Sequence, residues 1–439
     1  MNCRQIYNDK LITREEALSK INSGDQVISA LAAAEPVGLL SDLHTIADRV
    51  RDVTVVTCLP MNSYEYFTNP RYKDSFTMEG WFYSPAMRKC HDNGNISFIP
   101  NHLHFAAAKR LMHRKPNVFI GTASAMDRHG YLSLSLSATY ERDILDQADI
   151  VILEVNEKMP RTFGDTIIHI SDTDYVIEED YDIPELTSAE PSDKDKIIGK
   201  YIADLIEDGS TIQLGIGGIP NAVASELMSK KDLGIHTEMF TDGMVDLYYA
   251  GVITGRRKTL MNGKMVATFA LGTKKLYDFI DNNPAVVIAR GMWTNDPYVI
   301  GQNYKMTSIN TTLEIDLTGQ CCSESIGHRQ FSGTGGQADT AIGAQNSPGG
   351  KSIIALYSTA QIKVQGQDEK RTISKIASRL TQGAVVSLSR NDVDYVVTEF
   401  GIAELRGTSI KERIKRLINI AHPDFREILK KEANELMIW

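Results

Sequence analysis

The chain of 439 residues predicts an α/β protein made of two similar open α/β domains, with a ligand cleft between their two sets of strand ends. Three observations predict this. Short apolar runs of strand length alternate with amphipathic helical stretches from end to end, the pattern of mostly parallel sheets covered by helices. Residues 171–195 then turn acidic and proline-punctuated, with Asp172, Asp174, Glu178, Glu179, Asp180, Asp182, Glu185 and Glu190 around Pro184 and Pro191. Such a stretch reads as a solvated connector between domains. The second half also restarts the first: residues 24–36 resemble residues 209–220, and residues 148–154 resemble residues 393–399. Domains are therefore expected over 1–186 and 187–439.

Composition narrows the function. A hydrophobic fraction of 42% and a charged fraction of 23% are those of an ordinary globular protein. No run approaches the ~18 uninterrupted apolar residues of a membrane span, and the N-terminus lacks the charged-then-apolar pattern of a secretory leader. A cytoplasmic protein without membrane partners is predicted. Cys3, Cys58, Cys90, Cys321 and Cys322 are scattered and form no CxxC, so neither a disulfide framework nor a metal site is indicated. A net charge of −9 argues against nucleic acid as a partner. An anionic ligand would have to be held by local features.

Thr13 and Glu16 have capping-box spacing and open a helix through Ala17, Leu18 and Ile21. A strand follows over 26–31, then a small-residue turn to Pro36 and a helix from Val37 to about Arg49. Further strands are expected at 53–57, 96–99, 118–121 and 150–155, with a helix near 103–112 and an alternating arm at 131–135. His102 and His104 read as helix-start residues rather than metal ligands. After the acidic stretch, Ser192 and Asp195 cap a helix with apolar positions Ile197, Ile198, Tyr201, Leu205 and Ile206.

Two stretches carry chemistry. Ile212 to Leu214 form an apolar run, followed by Gly215, Ile216, Gly217 and Gly218 and then a helix start at Pro220. Strand, glycine turn and helix together expose backbone N–H groups to an anion or a developing oxyanion. Downstream, Glu238 stands between apolar residues ahead of a Thr241-Asp242-Gly243 turn. A partly desolvated carboxylate is a better nucleophile toward a carbonyl than one in bulk water. More glycines occur at Gly333, Gly335 and Gly336 and before Lys351. Turn geometry alone would also account for Gly335 and Gly336, and a surface position for Lys351 and for Arg256, Arg257 and Lys258. No GxxxxGK[ST], GxGxxG after an opening strand, GxSxG or HExxH is present, which removes the usual support for nucleotide, dinucleotide, triad-hydrolase and zinc-protease readings.

Six stretches, in order along nearly the whole chain, resemble the acetyl-CoA hydrolase/transferase family. They are residues 127–135 (Asp-Arg-His-Gly-Tyr-Leu-Ser-Leu-Ser), 159–165 (Met-Pro-Arg-Thr-Phe-Gly-Asp), 215–223 (Gly-Ile-Gly-Gly-Ile-Pro-Asn-Ala-Val), 236–243 (His-Thr-Glu-Met-Phe-Thr-Asp-Gly), 332–339 (Ser-Gly-Thr-Gly-Gly-Gln-Ala-Asp) and 397–407 (Val-Thr-Glu-Phe-Gly-Ile-Ala-Glu-Leu-Arg-Gly). The resemblance implies the two-domain fold, with Glu238 of the second domain as the nucleophile. It implies transfer of CoA between a short-chain acyl-CoA, 4-hydroxybutyryl-CoA or butyryl-CoA, and a carboxylate such as acetate. The route is ping-pong, through a glutamyl-CoA thioester, with no permanently bound cofactor, CoA being both substrate and covalent intermediate. A hydrolase using the same glutamate is the alternative. The resemblance also lays CoA along Gln213, Gly215, Ile216, Gly217, Gly218 and Gly333, with Ile309, Gly335, Gly336 and Lys351 as further contacts, and implies a homodimer. Glu35, Asn62 and Gln337 are conceivable contributors to the pocket. The chain departs from the family pattern at 340–343 (Thr-Ala-Ile-Gly), where the resemblance leads one to expect an aromatic residue and often an arginine.

Overall fold

The structure, a computed structural model, describes residues 2–187, 189–363 and 370–438. Contacts divide it into two compact units. The first holds the chain up to Thr187 together with Thr237–Asp242 and Lys264–Asn295; the second holds the remainder. This division differs from a split at residue 186 in two segments. One of them carries Glu238, which packs with the first unit.

The first unit is built on a seven-stranded sheet. From edge to edge its strands are Ile96–Phe98, Phe76–Gly80, Val53–Thr57, Gln26–Ser29, Val118–Ala123, Ile150–Val155 and Tyr175–Glu178, all paired in parallel. Parallel strands covered on both faces need apolar side chains on both, and Gln26–Ser29 and Val118–Ala123 are buried throughout. Val27, Val55, Phe76, Met78, Val118, Ile120 and Ile152 pack against Leu39, Leu40 and Leu43, each contributing ~1.5–3 kcal/mol of burial. The capping box at Thr13 and Glu16 forms as expected. The helix from Val37 is shorter than expected, ending at Asp42 and giving way to a 3-10 turn, Leu43–Ile46. The start of the acidic stretch is itself structural, because Tyr175–Glu178 is the edge strand of the sheet.

The second unit carries a six-stranded sheet in the order Gly234–Ile235, Thr211–Leu214, Met306–Thr311, Lys351–Ala355, Tyr395–Thr398 and Gly401–Glu404. All pairs are parallel except the last. Its core joins Ile354, Val396, Ala338, Ala341, Ile414 and Leu417. The capping box of Ser192 and Asp195 starts the helix Asp193–Leu205.

The two sheets share one winding. In each, the chain builds outward to one side of the first strand and then crosses over to the other side. Gln26–Ser29 and Thr211–Leu214 therefore occupy equivalent places, as their sequence likeness predicts. The second likeness does not hold strand for strand. Ile150–Val155 is two strands from the first strand of its sheet, and Tyr395–Thr398 is three. Shared apolar alternation, rather than shared position, accounts for that match. Among the described residues, no helix is long and apolar enough to cross a membrane.

Candidate active site

In the first unit, the backbone on either side of Glu238 is fixed. Thr237 N–H donates to Val266 O at 3.0 Å, and the N–H groups of Thr268 and Phe269 donate to Glu238 O at 2.9 and 3.1 Å. The next two residues, Met239–Phe240, form a parallel pair with Phe269–Ala270. Thr237, Met239 and Phe240 are buried, while Glu238 is half-buried. Its carboxylate is thus reachable but only partly hydrated, as the apolar flanks predict. Asn295, at the end of the helix Gly291–Thr294 and 1% exposed, donates from Nδ2 to Glu238 Oε2 at 3.2 Å. Its Oδ1 is buried and has no hydrogen-bond partner among the described residues. Sequence reasoning missed Asn295, which stands 57 positions beyond Glu238 in no motif.

Buried polar groups occur in the same unit as Glu238. Burial raises the Cys58 thiol, and the charges of Glu238 and Glu141 raise it further. This puts Cys58, just past the strand Val53–Thr57, within electrostatic reach of Glu238. Tyr140 is fully buried, stacks at a tilt on Trp81 at 4.6 Å and donates to Ser29 O at 2.9 Å. The Thr241-Asp242-Gly243 segment is not a turn. Asp242 begins the helix Asp242–Tyr249, and its carboxylate accepts from Thr273 Oγ1 at 2.6 Å and Thr273 N at 3.0 Å.

In the second unit, most of the predicted residues gather at one place, the C-terminal ends of Thr211–Leu214 and Met306–Thr311. The chain reverses its winding between these two strands, which is where open α/β sheets bind ligands. Gln213, 4% exposed, accepts from Ile309 N at 3.0 Å, locking the two strand ends together. Gly215 and Ile216 follow. Gly217 has φ +116° at the N-cap, with open space where a side chain would stand, and the helix Gly218–Glu226 begins after it. A Cβ on Gly218 would lie 2.6 Å from Asp195 Oδ2, so only glycine lets the turn close on that carboxylate. Asp195 is held by Tyr357 OH at 2.6 Å and by Ser192 N at 2.8 Å.

A second helix starts nearby. Gly333 and Gly335 lead to Gly336, the N-cap of Gln337–Asn346. Gln337 Nε2 donates to Thr311 O at 3.0 Å, and Asn310 Nδ2 donates to Thr340 Oγ1 at 3.0 Å. The residues at 340–343 that depart from the family pattern thus lie within this helix, Thr340 buttressing Asn310. Gln337 is 5% exposed, and its Oε1 has no hydrogen-bond partner among the described residues. Two helix N-termini, each preceded by glycines, therefore open beside adjacent strand ends, an arrangement suited to phosphate or oxyanion.

Lys351 is elsewhere. It pairs in register with Thr307, which is level with Ile212, at the start of its strand, roughly 10 Å along the sheet from Gly215 at ~3.3 Å per residue. Its Nζ donates to Leu205 O at 2.8 Å and to Glu207 at 2.9 Å, and Lys305 reaches the same carboxylate at 2.6 Å. The two lysines hold Glu207 down to about 2. Arg256 and Arg257 are exposed as expected, but Lys258 is not: it is 2% exposed, lies against Gly234 and donates to Leu260 O at 2.7 Å. No His/Cys/Asp/Glu group suited to a metal ion occurs among the described residues.

Comparison with known proteins places the chain. Sequence profiles of the acetyl-CoA hydrolase/transferase N-terminal domain and C-terminal domain match residues 1–186 and 272–433. The chain is 44% identical to the 4-hydroxybutyrate coenzyme A transferase of Clostridium kluyveri, over 98% of this chain and 99% of that protein. It is 43% identical to the succinyl-CoA:cyclohexane-1-carboxylate CoA transferase of Geobacter metallireducens, over 98% and 96%. The crystal structure of RipA from Yersinia pestis superposes with a TM-score of 0.91 at 36% identity, covering 100% of both chains. With two domain profiles in order and relatives matched over nearly their full length, this chain belongs to the acetyl-CoA hydrolase/transferase family.

Proposed function

We propose that this CoA-transferase works through Glu238 as a covalent nucleophile, exchanging CoA between a short-chain acyl-CoA and a free carboxylate without a permanent cofactor. The observation that carries this reading is the half-buried Glu238 carboxylate with the Asn295 amide at 3.2 Å. A Glu238 oxygen attacks the thioester carbonyl carbon, the C–S bond breaks, and an acyl-glutamyl anhydride and CoA thiolate result. The thiolate then attacks the glutamyl carbonyl, releasing the acyl group as a carboxylate and leaving a glutamyl-CoA thioester. A second carboxylate attacks that thioester, and the steps reverse to give a new acyl-CoA. Each tetrahedral intermediate places negative charge on an oxygen, and Asn295 Nδ2 is a donor already aimed at the glutamyl carboxylate. The turn at Gly215, Ile216, Gly217 and Gly218, with Gln213, Ile309 and Gly333 to Gly336, takes the phosphate-bearing CoA. Lys351, engaged with Glu207 at the far end of its strand, is left out of this set. The identity to the Clostridium kluyveri enzyme supports 4-hydroxybutyryl among the acyl groups carried, with butyryl as the nearest analogue.

The test is intact-mass measurement after incubation with butyryl-CoA and no acceptor acid, followed by peptide mapping. A CoA-sized adduct on the Glu238 peptide, discharged by acetate and absent from Glu238→Ala, is expected. An adduct that persists in Glu238→Ala, or free CoA accumulating from the wild type with no adduct, would overturn the reading, the second in favour of hydrolysis.

A further inference from the structure

Glu35 is fully buried at the C-terminal end of the first sheet, just past the strand Gln26–Ser29. Its partners are one-sided. Oε2 accepts from Met61 N at 3.1 Å, Oε1 accepts from Asn62 Nδ2 at 2.7 Å, and the Tyr64 side chain is the remaining side-chain donor. All lie within residues 61–64, the loop that follows Val53–Thr57. The other two fully buried carboxylates of this end of the sheet are spread differently. Glu141 accepts from Leu31 N and Tyr140 N at 2.9 and 3.0 Å, and Glu154 accepts from Gly38 N, Leu39 N and Tyr181 OH. A core carboxylate whose donors all come from one loop fixes that loop and little else.

That loop starts close to the nucleophile's segment. Thr57 O accepts from Trp81 N at 3.1 Å, and Trp81 packs on Tyr140 at 4.6 Å. Beside Tyr140, Thr139 Oγ1 accepts from Thr268 Oγ1 at 3.4 Å, and Thr268 N donates to Glu238 O at 2.9 Å. Cys58, the first residue of the loop, also feels the charge of Glu238, and Cys58 O accepts from Ala32 N at 3.3 Å. The loops carrying Glu35 and Met61 are thus joined at both ends. Both contain a non-glycine residue in left-handed backbone, Ala32 at φ +48° and Leu59 at φ +53°. Such conformations persist only where surrounding contacts over-determine them. Between Cys58 and Tyr64, the half-exposed side chains are those of Leu59, Met61 and Asn62.

Resting on the reading of Glu238 above, we infer that Glu35 is a positioning residue that sets acyl-chain selectivity, by pinning the loop Leu59 to Tyr64 beside the acylated glutamate. The wall it fixes, a leucine, a thioether and an amide, suits a short aliphatic acyl group with room for one polar substituent. Burial pushes the Glu35 carboxyl up to about 7. An apolar residue would be easier to bury at that place, so the carboxylate is retained for what it holds.

The test compares kcat/KM for acetyl-, butyryl- and hexanoyl-CoA in the wild type, Glu35→Ala, Asn62→Ala and the double variant. Glu154→Gln serves as a control for loosening the same unit. Glu35→Ala and Asn62→Ala should each move the butyryl-to-acetyl ratio by about tenfold, the low end of what one displaced methylene contact costs in discrimination. The double variant should move it no further, because the two residues act as one unit. Glu154→Gln should lower stability and leave the ratio alone. Asn62 is half-exposed, so its variant folds even if Glu35→Ala does not. Ratios within twofold of wild type in both single variants, or an equal change in Glu154→Gln, would overturn the inference. Failure of the Glu238 reading would show separately, as a missing adduct in the wild type.

Discussion

Replacing Asn295 by aspartate isolates what its amide does. The two side chains have the same shape, so the packing of a residue 1% exposed is kept, while a donor becomes a second carboxylate 3.2 Å from Glu238. At that separation two unit charges repel by about 5 kcal/mol at an effective dielectric of about 20. Solvent on the half-exposed side of Glu238 reduces this to about 2–3 kcal/mol, or about two pKa units. The sign is clear: a like charge disfavours ionised Glu238, so its apparent pKa rises and the nucleophile is lost at higher pH. The same charge opposes each oxyanion intermediate. Asn295→Asp should therefore slow adduct formation by about a hundredfold at neutral pH and move the acid limb of the pH–rate profile up by about two units. Asn295→Ala removes the donor without adding charge. A hydrogen bond to a charged group is worth ~1.5–3 kcal/mol, so a loss of about ten- to a hundredfold is expected, with a smaller movement of the acid limb. Rapid-quench measurement of glutamyl-CoA formation from pH 5 to 9 reads both effects. If Asn295→Asp keeps its rate within threefold and its acid limb in place, the amide plays no part at Glu238 and the argument fails.

Two other perturbations follow from the second unit. Lys258 is buried with no carboxylate partner among the described residues, and burial pushes its amine from 10.5 down to about 7. The unfolded chain therefore holds more protons between those values, so stability rises with pH across that window, by at most about 5 kcal/mol. Lys258→Met should stabilise the protein by a few kcal/mol near pH 6.5, partly offset by the lost bond to Leu260 O, and by much less near pH 10. An equal increment at both pH values in denaturant titration would refute it. Gly218→Ala would press a Cβ to within 2.6 Å of Asp195 and should cost about 1–3 kcal/mol of stability. Isothermal titration should show weaker CoA binding as well; unchanged stability and affinity would mean that this turn is not the CoA cradle.

Several features were legible in the sequence because their physics is local. The capping boxes at Thr13 and Ser192 need only residues three apart. Apolar runs bounded by turns announced parallel, doubly covered sheets. The glycines at 215, 217 and 218 followed from strand, turn and helix in succession, and the half-burial of Glu238 followed from its neighbours. Other features depend on which distant atoms meet. Asn295 reaches Glu238 only because the helix Gly291–Thr294 delivers it there, and Glu35 finds its loop because two parallel strands end side by side. Lys351 lies in a glycine-rich stretch but sits at the wrong end of its strand, since register, not composition, decides which end a residue occupies. Lys258 follows two exposed arginines yet is buried. Sequence by itself determined the run of strands and helices, the likeness of the two sheets' first strands and the apolar setting of Glu238; only tertiary structure decided which amide meets Glu238, which loop Glu35 holds and the lysines' surroundings. Backbone preference and apolar pattern act over a few residues, whereas hydrogen-bond pairing and desolvation are set by contacts between segments far apart in the chain.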